Sequence, residues 1–153
     1  MLDIMAITTC LVHVFGRLGC FMAGCCHGSP TDSFLAVTFY DPVCFADPKG
    51  VALHPTQLYE AGFILMVMGV LLYLRDRKSF DGQLFLLYLM LYAVGRFAIE
   101  FFRGDSGRGF VFGNTLSHSQ FIAAGILAAA TAMYVLALRR SRLVVRRLGK
   151  SDR

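Results

Sequence analysis

Two arginines lie inside otherwise apolar stretches: Arg17 in Phe15-Gly16-Arg17-Leu18-Gly19-Cys20-Phe21 and Arg96 in Tyr92-Ala93-Val94-Gly95-Arg96-Phe97. A guanidinium is a planar, permanently charged fork of donors, suited to bidentate recognition of phosphate or carboxylate oxygens. Within a membrane segment it costs about 2.5–3.5 kcal/mol on insertion scales, so a compensating anion is expected. Glu100 follows Arg96 by four residues and shares a helical face with it and with Tyr92, which makes a local ion pair available. Arg17 has no acid at such a spacing, and an anionic ligand is the natural candidate to compensate it.

The composition is that of a membrane protein: 56% of the 153 residues are hydrophobic and 16% are charged, against about 25% charged in soluble domains. Mean hydropathy is +0.59. Four apolar stretches, at 4–21, 58–74, 83–102 and 116–138, each approach the roughly 20 residues that cross a hydrocarbon core. The first lacks a basic leader and a small-residue cleavage site, so it reads as a retained helix rather than a secretory signal. The expected fold is an all-α integral membrane protein of about four transmembrane helices, with a helical domain over 1–138 and a basic tail over 139–153.

Basic residues set the orientation. Arg75, Arg77 and Lys78 separate the second and third stretches, and Arg139, Arg140, Arg142, Arg146, Arg147, Lys150 and Arg153 follow the fourth. Two crossings lie between these regions, so both fall on one side, and that side is expected to be cytoplasmic. The tail reads as a topology signal that is also able to lie on anionic lipid.

With that orientation the polar ends of all four helices meet in the outer leaflet. Helix one ends near Arg17, helix two begins near His54, Tyr59 and Glu60, helix three ends at Arg96, Glu100 and Arg103, and helix four begins near Ser117, His118, Ser119 and Gln120. Polar residues collected at one depth suggest one hydrated site, here with guanidiniums, carboxylates, an imidazole and tyrosine hydroxyls suited to a phosphate. Between helices one and two, residues 25–53 are punctuated by glycine, proline and aspartate and should form an extended outer arm, with 34–40 as a short strand.

Three blocks, in order, resemble the prolipoprotein diacylglyceryl transferase family: Gly16-Arg17-Leu18-Gly19-Cys20-Phe21 with Gly24 and Gly28; His54-Pro55-Thr56-Gln57-Leu58-Tyr59-Glu60; and Arg96-Phe97-Ala98-Ile99-Glu100-Phe101-Phe102-Arg103. The resemblance implies a bacterial inner-membrane enzyme that moves the diacylglyceryl group of phosphatidylglycerol to the lipobox cysteine thiol of a preprolipoprotein, releasing glycerol phosphate. It implies that Arg17 and Arg96 bind the headgroup, that Glu100 and Tyr92 orient Arg96, and that His54, Tyr59 and Glu60 form a supporting group. It adds Gly28 and Gln120 as positions near the site. Arg103 and Arg108 are candidates for lipid capture. The resemblance covers the C-terminal portion of a family with seven helices, so the expected partners include a separate N-terminal half as well as membrane lipids.

The chain departs from the family where Cys20 replaces a common asparagine and Cys25 a common glutamate. Cys20, Cys25, Cys26 and His27 are soft ligands, but their spacing is not C-x-x-C, and adjacent cysteines chelate one ion only with strain. No metal and no cofactor is therefore expected. In an oxidising outer compartment a disulfide from Cys20 or Cys25 to Cys44 is the stronger expectation. Cys10 and His13 read as interior residues of helix one, and His118 as part of a helix cap.

The glycine-rich run 104–109 lacks the lysine of a phosphate loop and reads as an outer connection. Nucleic acid is discounted despite a pI near 9.1, because the basic excess sits in the tail without an aromatic platform. Two further classes stand beside the transferase reading: a noncatalytic protein that binds anionic lipid, and a thiol or metal protein using the cysteines.

Overall fold

The computed structural model describes residues 1–103, 110–111 and 116–151. Four long helices dominate it: α1 (Leu2–Ala23), α2 (Thr56–Leu74), α3 (Gln83–Ile99) and α4 (His118–Ser151). Each contains a segment long and apolar enough to cross a membrane, with mean hydropathy from 1.6 in α1 to 2.2 in α4. Short 3-10 turns, Arg75–Arg77 and Glu100–Phe102, extend α2 and α3.

Helix α1 packs chiefly on α2, and α3 on α4, with α3 also meeting α1 and α2. Ala6, Cys10 and Val14 repeat at four-residue spacing on one side of α1 and meet Ile64, Val67 and Leu71 of α2 and Leu84 and Tyr88 of α3. That spacing is the stripe an α-helix needs to bury one face. Cys10 is fully buried in this core, as its apolar surroundings in the sequence suggested.

At one end of the bundle Asp3 holds the start of α3. Its carboxylate accepts hydrogen bonds from the Leu84 backbone N–H at 3.0 Å, the Gly82 N–H at 3.2 Å and Lys78 Nζ at 2.9 Å. The first N–H groups of a helix have no partner within it, and Asp3 supplies one from another helix. Gln83 Nε2 donates to the Tyr134 hydroxyl at 3.0 Å, which ties α3 to α4 at the same end.

At the other end α1 closes at Gly24, whose φ of 73° is left-handed. The Gly24 N–H bonds the Phe21 carbonyl and the Cys25 N–H bonds the Cys20 carbonyl, the two bonds of a Schellman turn. The chain then enters the arm. The strand expected over 34–40 shrinks to β1 (Val37–Thr38), paired antiparallel with β2 (Ala52–Leu53). Its partner is two residues long, and Phe34 and Tyr40 at its flanks are exposed, so no longer ladder forms. A second two-residue pair, β3 (Phe110–Val111) with β4 (Leu116–Ser117), leads into α4.

Helix α4 does not stop at Leu138 but continues to Ser151. No proline or glycine interrupts it before Gly149 except Gly125, and arginine and leucine are good helix formers.

Candidate functional site

The four polar helix ends identified in the sequence meet at the end of the bundle that carries the arm. Arg17 lies one turn beyond His13 on α1. Its Nη2 is 2.7 Å from Oε1 of Glu60, in the second turn of α2. Glu60 is almost wholly buried at 2% exposure. The arginine without an acid in its own helix therefore receives one from the next helix.

On α3, Arg96 Nη1 lies 2.7 Å from Glu100 Oε2, the local pair that the four-residue spacing offered. Its Nη2 also donates to Ser119 Oγ at 3.0 Å, in the first turn of α4. Tyr92, Arg96, Ser119, Ile122, Ala123 and Ile126 border a cleft of about 190 Å³ between α3 and α4. Tyr92 also stacks on His13 at 5.0 Å between ring centroids and is an electrostatic neighbour of Arg17, so it stands between the two arginine centres. His13 itself is held by the Tyr88 hydroxyl, 3.0 Å from Nδ1, in agreement with its reading as an interior residue.

The mouth of α2 forms a second group. His54 Nδ1 is 3.2 Å from the Tyr59 hydroxyl, and Phe102 meets both rings edge-on. Gly28 sits beneath them: a Cβ there would fall on the Phe102 carbonyl oxygen and within 2.8 Å of the His54 and Thr56 side chains. Its N–H donates to the His54 carbonyl at 2.8 Å, and the Ser29 N–H donates to Phe102 O at 3.0 Å. This close crossing joins the arm, the start of α2 and the end of α3, and requires glycine.

Two residues of the His-Pro-Thr-Gln block that the sequence did not mark as functional anchor the arm. Thr56 Oγ1 donates to the Cys26 carbonyl at 2.8 Å and Gln57 Nε2 to the Cys25 carbonyl at 2.6 Å. Both are 1% exposed; their place four and three residues before Glu60, at the start of the second apolar stretch, was the signal available in the sequence. The sequence places Ser119 among the converging polar residues and beside the cap, without a partner assigned to it. Gln120 is occupied at that cap: its Oε1 accepts from the Ser117 N–H, and its own N–H donates to Ser117 Oγ, both at 3.2 Å, a reciprocal capping box. The cap expected around His118 is thus centred on Ser117.

The disulfide expected from Cys20 or Cys25 to Cys44 does not form; all five cysteines are free thiols. The Schellman turn folds Cys25 back over Cys20, and Cys26, at φ 63°, turns its side chain toward them. The three sulfurs lie within 4.8 Å of one another. Burial, then the adjoining Cys20 and Cys26 thiols, push Cys25 up to about 11. Burial also pushes Cys26 upward, but a hydrogen bond from Arg103, that guanidinium's charge and the more distant Arg17 bring it below the ordinary thiol value. Arg103 thus stands with the cysteines. The glycine-rich run 104–109, including Arg108, lies outside the described residues.

A helical bundle with buried, carboxylate-paired guanidiniums at one end of its membrane-crossing helices defines a multi-pass membrane protein with an anion-suited site. Residues 1–136 match the family model for prolipoprotein diacylglyceryl transferase, and the chain belongs to that family. It is 43% identical over 122 residues to the phosphatidylglycerol–prolipoprotein diacylglyceryl transferase of Clostridium tetani, covering 80% of this chain and 47% of that protein. It is 38% identical to the second such enzyme of Clostridium perfringens, covering 81% and 46%. With the enzyme of Campylobacter curvus the identity is 37%, covering 84% and 46%. The chain spans about half the length of the curated relatives it matches.

Proposed function

We propose that this chain binds phosphatidylglycerol at its arginine-lined end and serves transfer of the diacylglyceryl group to the lipobox cysteine of a preprolipoprotein. The observation that carries the proposal is the pair of buried guanidiniums, Arg17 and Arg96, each held by a carboxylate at 2.7 Å. Each carboxylate neutralises its arginine enough to place it in an apolar bundle and leaves further N–H groups to meet phosphate oxygens.

In the transfer, the glyceryl C–O bond breaks and charge grows on the phosphate that leaves. Preorganised guanidiniums stabilise that charge as it develops. Tyr92 and Glu100 orient Arg96, Glu60 orients Arg17, and His54, Tyr59 and Gly28 shape the mouth through which the acceptor segment enters. The site faces the outer leaflet of the bacterial inner membrane, and the basic segments near Arg75 and after Leu138 face the cytoplasm.

The test is mass spectrometry of a lipobox peptide incubated with the chain in phosphatidylglycerol vesicles, beside Arg17→Ala and Arg96→Ala. A diacylglyceryl mass gain that disappears in both variants supports the proposal. Equal gain in wild type and variants overturns it. Binding of the lipid without any mass gain favours the noncatalytic reading.

A further inference from the structure

Cys20, Cys25 and Cys26 stand where α1 ends, half-buried, with their sulfurs within 4.8 Å of one another. Tetrahedral zinc with Zn–S bonds of about 2.3 Å places its sulfurs about 3.8 Å apart, so the cluster is within about 1 Å of a chelating geometry. The strain that adjacent cysteines impose is met by the backbone: Cys26 takes the left-handed φ of 63°, unusual for a residue with a Cβ. The neighbouring histidine is already committed, with Nδ1 at 2.9 Å from the Gly28 carbonyl and Nε2 accepting from the Asp47 N–H. Cys44 is not among the converging sulfurs. The described residues therefore offer three ligands and an open fourth position.

We infer that Cys20, Cys25 and Cys26 form a zinc site whose fourth position receives the acceptor cysteine. Three protein ligands with an open position are the pattern of catalytic rather than structural zinc. Three thiolates and Zn²⁺ carry a net charge of −1, which Arg103, hydrogen-bonded to Cys26, offsets.

The acceptor role rests on the transfer proposed above and supplies the thiolate that this transfer needs. The incoming thiol binds zinc as thiolate and gives its proton to water, since a coordinating thiol is deprotonated outright. Its sulfur lone pair forms the C–S bond to the glyceryl carbon while the C–O bond to phosphate breaks. The electron pair of that bond leaves on glycerol phosphate beside the arginines, and the thioether product, a poorer ligand, departs.

The experiment uses the full chain in phosphatidylglycerol nanodiscs, reduced and then loaded with Zn²⁺ or Co²⁺ alone. About one zinc per chain is expected by elemental analysis, with a sulfur-to-cobalt charge-transfer band in the cobalt form. Cys20→Ser, Cys25→Ser and Cys26→Ser should each weaken binding at least about tenfold, whereas Cys44→Ser should not. A lipobox peptide should shift the cobalt spectrum, and the same peptide with serine for cysteine should not. Less than about a tenth of an equivalent of zinc, or a band untouched by all three substitutions, overturns the site. A spectrum that the cysteine peptide leaves unmoved overturns the acceptor position. The outcomes separate: zinc binding without mass gain sinks the transferase reading and the acceptor role with it but leaves the zinc site standing, whereas mass gain by zinc-free protein sinks the acceptor role and leaves the transferase reading standing.

Discussion

Arg17 Nη2 and Glu60 Oε1 meet at 2.7 Å across the α1–α2 interface, and the carboxylate is buried almost completely. This ion pair welds the end of one transmembrane helix to the beginning of the next. Removing one partner of a buried pair leaves the other charge uncompensated, which typically costs about 3–5 kcal/mol. Glu60→Gln should therefore lower the thermal midpoint of the detergent-solubilised protein sharply, and the double variant Glu60→Gln with Arg17→Met should recover much of the loss. An unchanged midpoint in Glu60→Gln would mean that the pair contributes little.

Arg96 engages Glu100 and Ser119 with different nitrogens of one planar fork. Arg96→Lys keeps the charge but offers a point donor, so the diacylglyceryl transfer proposed for this site should fall by at least about tenfold, or about 1.4 kcal/mol. Ser119→Ala removes one hydrogen bond and should cost about 1 kcal/mol or less. Rates of peptide modification at saturating lipid check both, and near-equal rates for Arg96→Lys and wild type would refute bidentate recognition.

Gly28→Ala places a methyl group against the Phe102 carbonyl and the His54 and Thr56 side chains. Two of these neighbours belong to the anchored start of α2, so the crossing has little room to yield. Overpacking of this kind costs about 1–3 kcal/mol. Faster proteolysis of the arm between Cys26 and Leu53, with the helices still inserted, is the expected result; wild-type protease resistance would contradict it.

At the opposite end of the bundle, Asp3 caps α3 through the backbone N–H groups of Gly82 and Leu84. Asp3→Ala should destabilise the protein by about 1–2 kcal/mol, in the range of lost helix caps. Amide exchange at Gly82 and Leu84 should quicken. Lys78, which also binds Asp81 and whose pKa is raised first by that carboxylate and then by Asp3, is exposed, so Lys78→Met should have the smaller effect.

Much of this protein was legible along the chain. The four helices follow from runs of apolar residues near the length of a bilayer crossing, and the Arg96–Glu100 pair follows from helical periodicity, because residues four apart must face one way. The convergence of Arg17, Glu60, Arg96 and Ser119 at one end was legible from alternating helix direction alone. Hydropathy also drew the 83–102 stretch correctly, since the 3-10 turn at Glu100–Phe102 only tightens the last turn of α3.

What the sequence could not determine is which side chains meet across helices, because that depends on helix rotation and on crossings between residues far apart in the chain. Only the tertiary structure gave Arg17 its acid in Glu60 and brought Asp3 to the start of α3, whereas the Ser117–Gln120 capping box is local and follows the S-x-x-Q spacing. Spacing argued against Cys20, Cys25 and Cys26 as a common group, since an ideal backbone points adjacent side chains apart. A Schellman turn followed by a left-handed residue reverses that, and backbone conformation of this kind is fixed by the packing of the arm against α2 through Thr56 and Gln57.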